Sequence, residues 1–223
     1  LMVPSCNIDG DLEECPYNAR LEYWYTGTGQ ANVLPDYIFK MKEFVFDSLQ
    51  ILRQVNELGG KKNIAAELNL PPGRYTLVAW GNQDSCSSMN EAEIGRTKLT
   101  DILLYANNPV PPETRVNIPL RQQNGEPLYY GYASFTIQPR GVSRQRVDMV
   151  HAHLKLDITV KWKGKAPTDT GDMYMILSDV PSAYCFMPEF EVKGSPYSTY
   201  GTAADGSPTR SGCLLYTSPS PRD

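Results

Sequence analysis

Few residues in this chain have the type and spacing to do chemistry, and the first of them is Cys6. Leu1-Met2-Val3-Pro4-Ser5-Cys6 has the shape of the end of a bacterial secretory signal: apolar residues, a small residue, then a cysteine that is cleaved at and acylated. Val3 and Ser5 stand three and one before Cys6, as such a signal prefers, and Pro4 is an unusual filler. The other reading is a free or bridged cysteine near a terminus. Asn7-Ile8-Asp9-Gly10-Asp11-Leu12-Glu13-Glu14 follows, short and acidic, as a tether between a lipid and a folded domain would be. It does not work as a calcium loop. Asn7, Asp9 and Asp11 fit the first three ligand positions, but Leu12 occupies the turn-glycine position and Asn18 that of the bidentate acid.

His151 and His153 are the one pair with metal-binding spacing. Two residues apart on a strand, their rings share a face about 7 Å apart. No third ligand is near in sequence, so two surface histidines on a polar strand face is the simpler account. No Gly-x-Ser-x-Gly elbow and no phosphate loop occurs. No catalytic residue, cofactor or metal is expected, and the chain does not read as an enzyme. With Cys6 assigned to lipid, Cys15 and Cys86 are the candidates for a disulfide in an exported chain. Unpaired thiols, Cys185 included, are the alternative.

The elements that position these residues read as strands. The 223 residues are 41% hydrophobic and include 18 Pro, 17 Gly and 14 Tyr, a composition of turns and strands. The net charge of -4 shows no basic stripe, which argues against nucleic acid as a partner. Asn18 to Tyr25 alternates Ala19, Leu21, Tyr23 and Tyr25 against polar neighbours. Ile38 to Asp47 begins with Lys40 and Lys42 on one face and becomes apolar on both, as a central strand does. Leu49 to Val55 and Asn63 to Leu70 flank Gly59-Gly60, a hairpin signal. Leu70-Pro71-Pro72-Gly73 turns the chain into Arg74 to Trp80. Ser87 to Tyr105 is ambiguous, with Leu99 and Ile102 to Leu104 fitting a short helix or a strand. Thr114 to Leu120 and Leu128 to Ile137 return to strand character, and Gln138-Pro139-Arg140-Gly141 breaks it. From Val150 to Lys163, Ala152, Leu154, Leu156, Ile158, Val160 and Trp162 alternate with His151, His153 and other polar residues, so one face should be buried. Met173 to Leu177 and Phe190 to Val192 read as further strand pieces.

The two ends call for separate treatment. Cys213 to Asp223, CLLYTSPSPRD, matches the translation of a sequencing adapter, so the native sequence is expected to stop near Gly212. The chain begins at Leu1 without an initiator methionine, and an incomplete N-terminus is expected. The expected organisation is residues 1–16 as signal remnant, lipidation cysteine and acidic tether; 17–138 as a first β-sandwich; 144–212 as the N-terminal part of a second; and 213–223 as the artefact.

Several motifs in order carry a resemblance. They are Cys6 with its acidic segment, Leu12-x-x-Cys15-Pro16, Glu43-Phe44-Val45-Phe46-Asp47, Leu70-Pro71-Pro72-Gly73-x-Tyr75, Val78-Ala79-Trp80-Gly81-Asn82 and Val150 to Leu156. Together they resemble the FimB-like fimbrial anchor lipoproteins of Bacteroidales type V pili, over roughly Cys6 to Gly212. The resemblance implies an all-β fold of two tandem transthyretin-like or immunoglobulin-like sandwiches, the second truncated. It implies a lipid on Cys6, placement in the outer membrane at the cell surface, and a structural role at the base of a fimbrium. Pilin subunits would be joined by strand addition. No small-molecule substrate is expected. The competing function is a surface glycan-binding lipoprotein, with Trp24, Tyr129, Tyr130 and Tyr132 as sugar platforms.

Overall fold

The computed structural model describes residues 16–59, 65–85, 87–106, 127–152, 163, 174–181, 183–188 and 196–202. Twelve strands and one short helix are assigned there: β1 Ala19–Trp24, α1 Leu34–Tyr37, β2 Lys40–Asp47, β3 Leu52–Gly59, β4 Ala65–Leu68, β5 Gly73–Gly81, β6 Ser87–Met89, β7 Leu103–Ala106, β8 Tyr129–Ile137, β9 Ser143–His151, β10 Tyr174–Pro181, β11 Ala183–Cys185 and β12 Pro196–Thr202. Seven strands form one sheet in the order β3-β2-β5-β8-β9-β1-β4. A three-stranded sheet runs β11-β7-β6, and β10 pairs with β12.

The heart of the molecule is β2, β5 and β8, which carry apolar residues on both faces. On β5, Tyr75, Leu77 and Ala79 belong to one buried cluster, and Val78 and Trp80 to another. On β2, Met41 and Val45 divide in the same way from Phe44 and Phe46. Each face therefore needs a cover. One cover is β1 with β4, which bring Ala19, Leu21, Tyr23, Ala66 and Leu68 into the first cluster. The other is the β11-β7-β6 sheet with its flanking turns, which supplies Leu99, Ile102, Leu104, Tyr184 and Phe186. Trp80 sits among Tyr130, Tyr184 and Phe186 at ring separations of 4.9, 5.9 and 5.7 Å.

Strand β9 joins the layers. Ser143 to Asp148 pairs in parallel with β1, and Met149 to His151 pairs antiparallel with β8. Its neighbour β8 contains Gly131, where a Cβ would lie 2.4 Å from the Met149 sulfur, so only glycine lets β9 approach this closely.

The motifs singled out in the sequence each have a structural task. Asp47 accepts bonds from the Leu49 and Ile51 amides at 2.8 and 3.0 Å and from Arg53 Nε at 2.7 Å, which closes the β2–β3 turn. Tyr75 donates its hydroxyl to the Pro71 carbonyl at 2.8 Å, locking the Pro-Pro-Gly turn. Gly81 faces Ile38 Cγ2 at 2.9 Å from where a Cβ would be. Buried Asn82 holds a positive φ of 61° and ties three segments, bonding the Phe39 amide and the Tyr37 and Pro127 carbonyls.

Three expectations need correction. Gly59-Gly60 does not make a hairpin, because β3 pairs with β2 while β4 pairs with β1 on the covering layer. The boundary expected between 138 and 144 falls instead on a turn between β8 and β9 of a single sheet. Residues 143–152 and 183–186 thus complete the first unit; the Tyr184 hydroxyl even donates to the Ala152 carbonyl at 2.6 Å. The strand expected to run from Val150 to Lys163 ends at His151, and Leu154 to Trp162 lie outside the described residues. The ambiguous Ser87 to Tyr105 stretch resolves into β6, a turn region and the start of β7, so Leu103 and Leu104 are strand residues. Thr114 to Leu120 and Phe190 to Val192 also lie outside the described residues.

One polar cluster is buried between the layers. Glu43 of β2 is fully buried and accepts hydrogen bonds from the Tyr23 hydroxyl of β1 and from Asn56 Nδ2 of β3. Burial raises its pKa above the ordinary 4.5, although the two donors pull the other way. Burial and the neighbouring Glu43 charge hold Tyr23 well above its usual value.

Two outcomes follow from this packing. Phe186→Ala should cost about 3–5 kcal/mol, the usual cost of removing a buried aromatic. Urea unfolding followed by Trp80 fluorescence tests this, and an unchanged midpoint would separate residues 183–186 from the first unit. Glu43 makes the second. Its folded pKa lies above its unfolded one, so its contribution is most favourable below pH 4.5 and is lost as pH rises through the folded pKa. Relative to wild type, Glu43→Gln should therefore gain stability as pH rises from about 4.5 through the raised folded pKa, and level off above it. A difference that stays flat across that range contradicts the assignment.

Candidate functional site

Cys6, Cys15, Cys86 and His153 lie outside the described residues. His151 ends β9 with its ring 5.3 Å from that of Tyr129, at the edge of an aromatic cluster that continues to Tyr25 and Tyr37. Among the described residues, no group of three or more His, Cys, Asp or Glu could hold a metal ion. Cys185 is a buried free thiol.

The aromatic residues considered as sugar platforms do not form one. Tyr129 and Tyr130 are buried in opposite core clusters, and the Tyr130 hydroxyl donates to the Phe186 carbonyl at 3.0 Å. Tyr132 is half-buried against the Trp80 side of the core. Trp24 lies on the outer face of β1, covered by the Arg146 guanidinium 4.2 Å above its ring. These four side chains serve packing, the more common use of aromatic residues in strands.

The sheet ends remain, because a terminal strand carries backbone donors and acceptors on one side. The β4 end is short and tied closely to β1. This strand has only four residues, and Asn18 clamps the chain just beyond it: Asn18 Nδ2 donates to the Leu70 carbonyl at 2.6 Å and its Oδ1 accepts from the Leu70 amide at 3.1 Å. Arg20 Nη1 bonds Glu67 Oε1 at 3.0 Å across the β1–β4 pair.

The β3 end differs. At its start, the Leu52 amide donates to the Thr97 carbonyl and the Leu52 carbonyl accepts from the Gly95 amide, each at 2.8 Å. Past that point, Arg53 to Gly59 has β2 on one side and no strand on the other among the described residues. Val55 packs toward the Trp80 side of the core and Leu58 toward the Tyr23 side. Asn56 reaches Glu43. The charges on this strand are matched along β2, Arg53 with Asp47 at 2.6 Å and Glu57 with Lys42 at 3.4 Å. The edge has an irregularity at Arg53, where Val45 pairs with Gln54 and Phe46 with Leu52; beyond it the strand is anchored to both cores, and its open backbone can take one more strand. Sequence reasoning placed a hairpin here and so missed the edge. The available signal was the run Arg53-Gln54-Val55-Asn56-Glu57, polar on both faces as edge strands often are.

The comparisons bear on what such a fold is used for. The fimbrial anchor protein Mfa2 from Porphyromonas gingivalis superposes with a TM-score of 0.60 at 19% identity, over 83% of this chain and 66% of that one. A Bacteroides thetaiotaomicron protein described as an adhesin gives 0.63 at 19% identity, over 86% of this chain and 63% of that one. Another from the same organism, described as polysaccharide-binding, gives 0.60 at 16% identity, over 81% and 63%. These likenesses establish a shared fold, and the chain spans under two thirds of those proteins' length. No curated protein matches by sequence. The model of the Mfa2 family, the fimbrillin-A associated anchor proteins Mfa1 and Mfa2, matches residues 12–219, nearly the whole chain, and the chain belongs to that family.

Proposed function

We propose that this protein is a structural anchor subunit of a surface fimbrium, held in the outer membrane by lipid on Cys6 and joined to pilin subunits by strand addition. The family match across residues 12–219 carries the reading. The open Arg53 to Gly59 edge supports its mechanical part, since an added strand gains main-chain hydrogen bonds whatever its sequence. The side chains of β3 would then set register, with Val55 and Leu58 anchored in the two cores and Asn56 fixed by Glu43. Several acyl chains on one cysteine give durable attachment where a single chain is marginal. The acidic segment after Cys6 supplies slack between bilayer and sandwich. We assign β10 and β12 to the second sandwich, because their two-stranded sheet is separate from the other two.

Cys6 should take up a clickable fatty acid when the protein is made from its gene in a Bacteroidales host, and Cys6→Ala should release the protein from membranes. Wild-type protein that stays unlabelled ends the lipid assignment. Hydrogen exchange with purified fimbrial subunits tests the joint. Amides of Arg53 to Gly59 should gain protection in the complex, while those of β5, already paired on both sides, should not change. Gains confined to other strands would move the joint away from β3.

A further inference from the structure

The strands of the sandwich have a common polarity relative to the tether. β1, β5 and β9 all start at one end of the sheet, and β2 and β8 finish there, as the pairs Ala19↔Ser143, Gly73↔Ile137 and Asp47↔Tyr75 require. The chain enters at that end: the Asn18 amide donates to the Leu68 carbonyl, and the Ser143 amide to the Asn18 carbonyl, each at 2.9 Å. Tyr25, Tyr37, Tyr129 and His151 mark the far end.

The residues gathered at the entry end share a character. Leu49, at the tip of the β2–β3 turn, is 71% exposed, the largest value among the exposed hydrophobic side chains. Pro71 and Pro72 before β5 and Pro139 in the β8–β9 turn are exposed beside it in strand order. Three exposed arginines accompany them: Arg74 at the start of β5, Arg140 in the turn, and Arg144 at the start of β9. Among the described residues, Arg74 and Arg140 have no side-chain partner. Arg144 has only a loose contact with Glu22 at 3.8 Å. The acids nearby are engaged, Asp47 by Arg53 and Glu67 by Arg20. Among the described residues, Arg74 and Arg140 therefore present uncompensated positive charge at this end of a chain whose total charge is -4.

We infer that this end is a membrane-facing surface that rests on anionic lipid headgroups. Arginines on such a surface are drawn to headgroup phosphates, and an exposed leucine among prolines can enter the interface without unfolding anything. Geometry favours this occupant. From Cys6 to Pro16 the chain reaches roughly 35 Å at full extension, so a lipid on Cys6 keeps the entry end close to the bilayer. The orientation rests on the lipid reading, but the surface's own affinity for lipid does not. With the entry end down, β3 runs away from the membrane and the aromatic end points outward.

The test uses the full chain carrying Cys6→Ala, which has no lipid, and co-sedimentation with two kinds of vesicle. Phosphatidylethanolamine–phosphatidylglycerol vesicles should retain it at low salt, phosphatidylcholine vesicles should not, and added salt should release it. Arg74→Gln with Arg140→Gln should weaken binding roughly tenfold or more, since each basic residue near an anionic surface contributes about fivefold. Leu49→Ser should weaken it further. Tyr37→Ser with Phe39→Ser, at the far end, should leave it unchanged. Equal retention on both vesicle types, no retention on either, or indifference to the arginine pair would overturn the inference. So would binding that appears only once Asp9, Asp11, Glu13 and Glu14 are neutralised, which would give the surface to the chain's own acidic segment. Because no acyl group is present, each result stands apart from the outcome of fatty-acid labelling.

Discussion

Everything else in this fold follows from a sheet that is apolar on both faces. A strand such as β5, with Leu77 and Ala79 on one side and Val78 and Trp80 on the other, cannot leave either side in water. Fully burying a side chain of this size contributes about 1.5–3 kcal/mol, and β2, β5 and β8 present many of them. Two covers are therefore obligatory. The chain makes the first early, from β1 and β4, and completes the second only at Ala183–Phe186, far along the sequence. The molecule is closed by its most distant contacts, so the Trp80 side should be the later side to form.

This explains which parts of the fold were legible in the sequence. Alternation identifies a buried face, and it located β1, β2, β5 and β8 closely, including the change on β2 from one-sided to two-sided burial. Alternation says nothing about partners. The parallel pairing of β1 with β9 joins residues more than a hundred positions apart, and no local pattern encodes it. The Pro-Arg-Gly turn after β8 has the chemistry of a linker and of a reversal alike, so a domain boundary was placed where a single sheet turns back. Gly59-Gly60 misled in the same way. Glycine pairs suit a reversal, but β3 ends at Gly59 paired with β2, and β4 pairs with β1 in the other layer. Ala183 to Phe186 was legible in hindsight: four buried residues in a row, bounded by Pro181 and Pro188, fit a short strand covered on both sides.

The candidate site was less legible than the fold, for a physical reason. An enzyme's site announces itself through residue types, since chemistry needs particular side chains. A strand-accepting edge uses the backbone, which every residue has. What distinguishes β3 from β4 among the described residues is length, eight residues against four. The aromatic residues that looked functional in sequence proved to be core, with Tyr129 and Tyr130 on adjacent positions of β8 pointing into opposite clusters.

Glu43 links the edge to the rest. A buried carboxylate is costly, and replacing it with an apolar residue would often stabilise a fold. Here it receives one donor from the covering layer and one from the edge strand, and so fixes β3 against β1 and β2 together. Apolar contacts tolerate sliding by a residue; a carboxylate with two named donors does not. A slip of β3 by one position would turn Asn56 away from Glu43, leave the charge buried without a donor, and expose Val55 and Leu58 on the wrong faces. An edge proposed to take a partner strand in one register needs its own register fixed first. Polar pinning at Glu43 does this without adding a side chain to the outer side of β3, so the backbone there stays open.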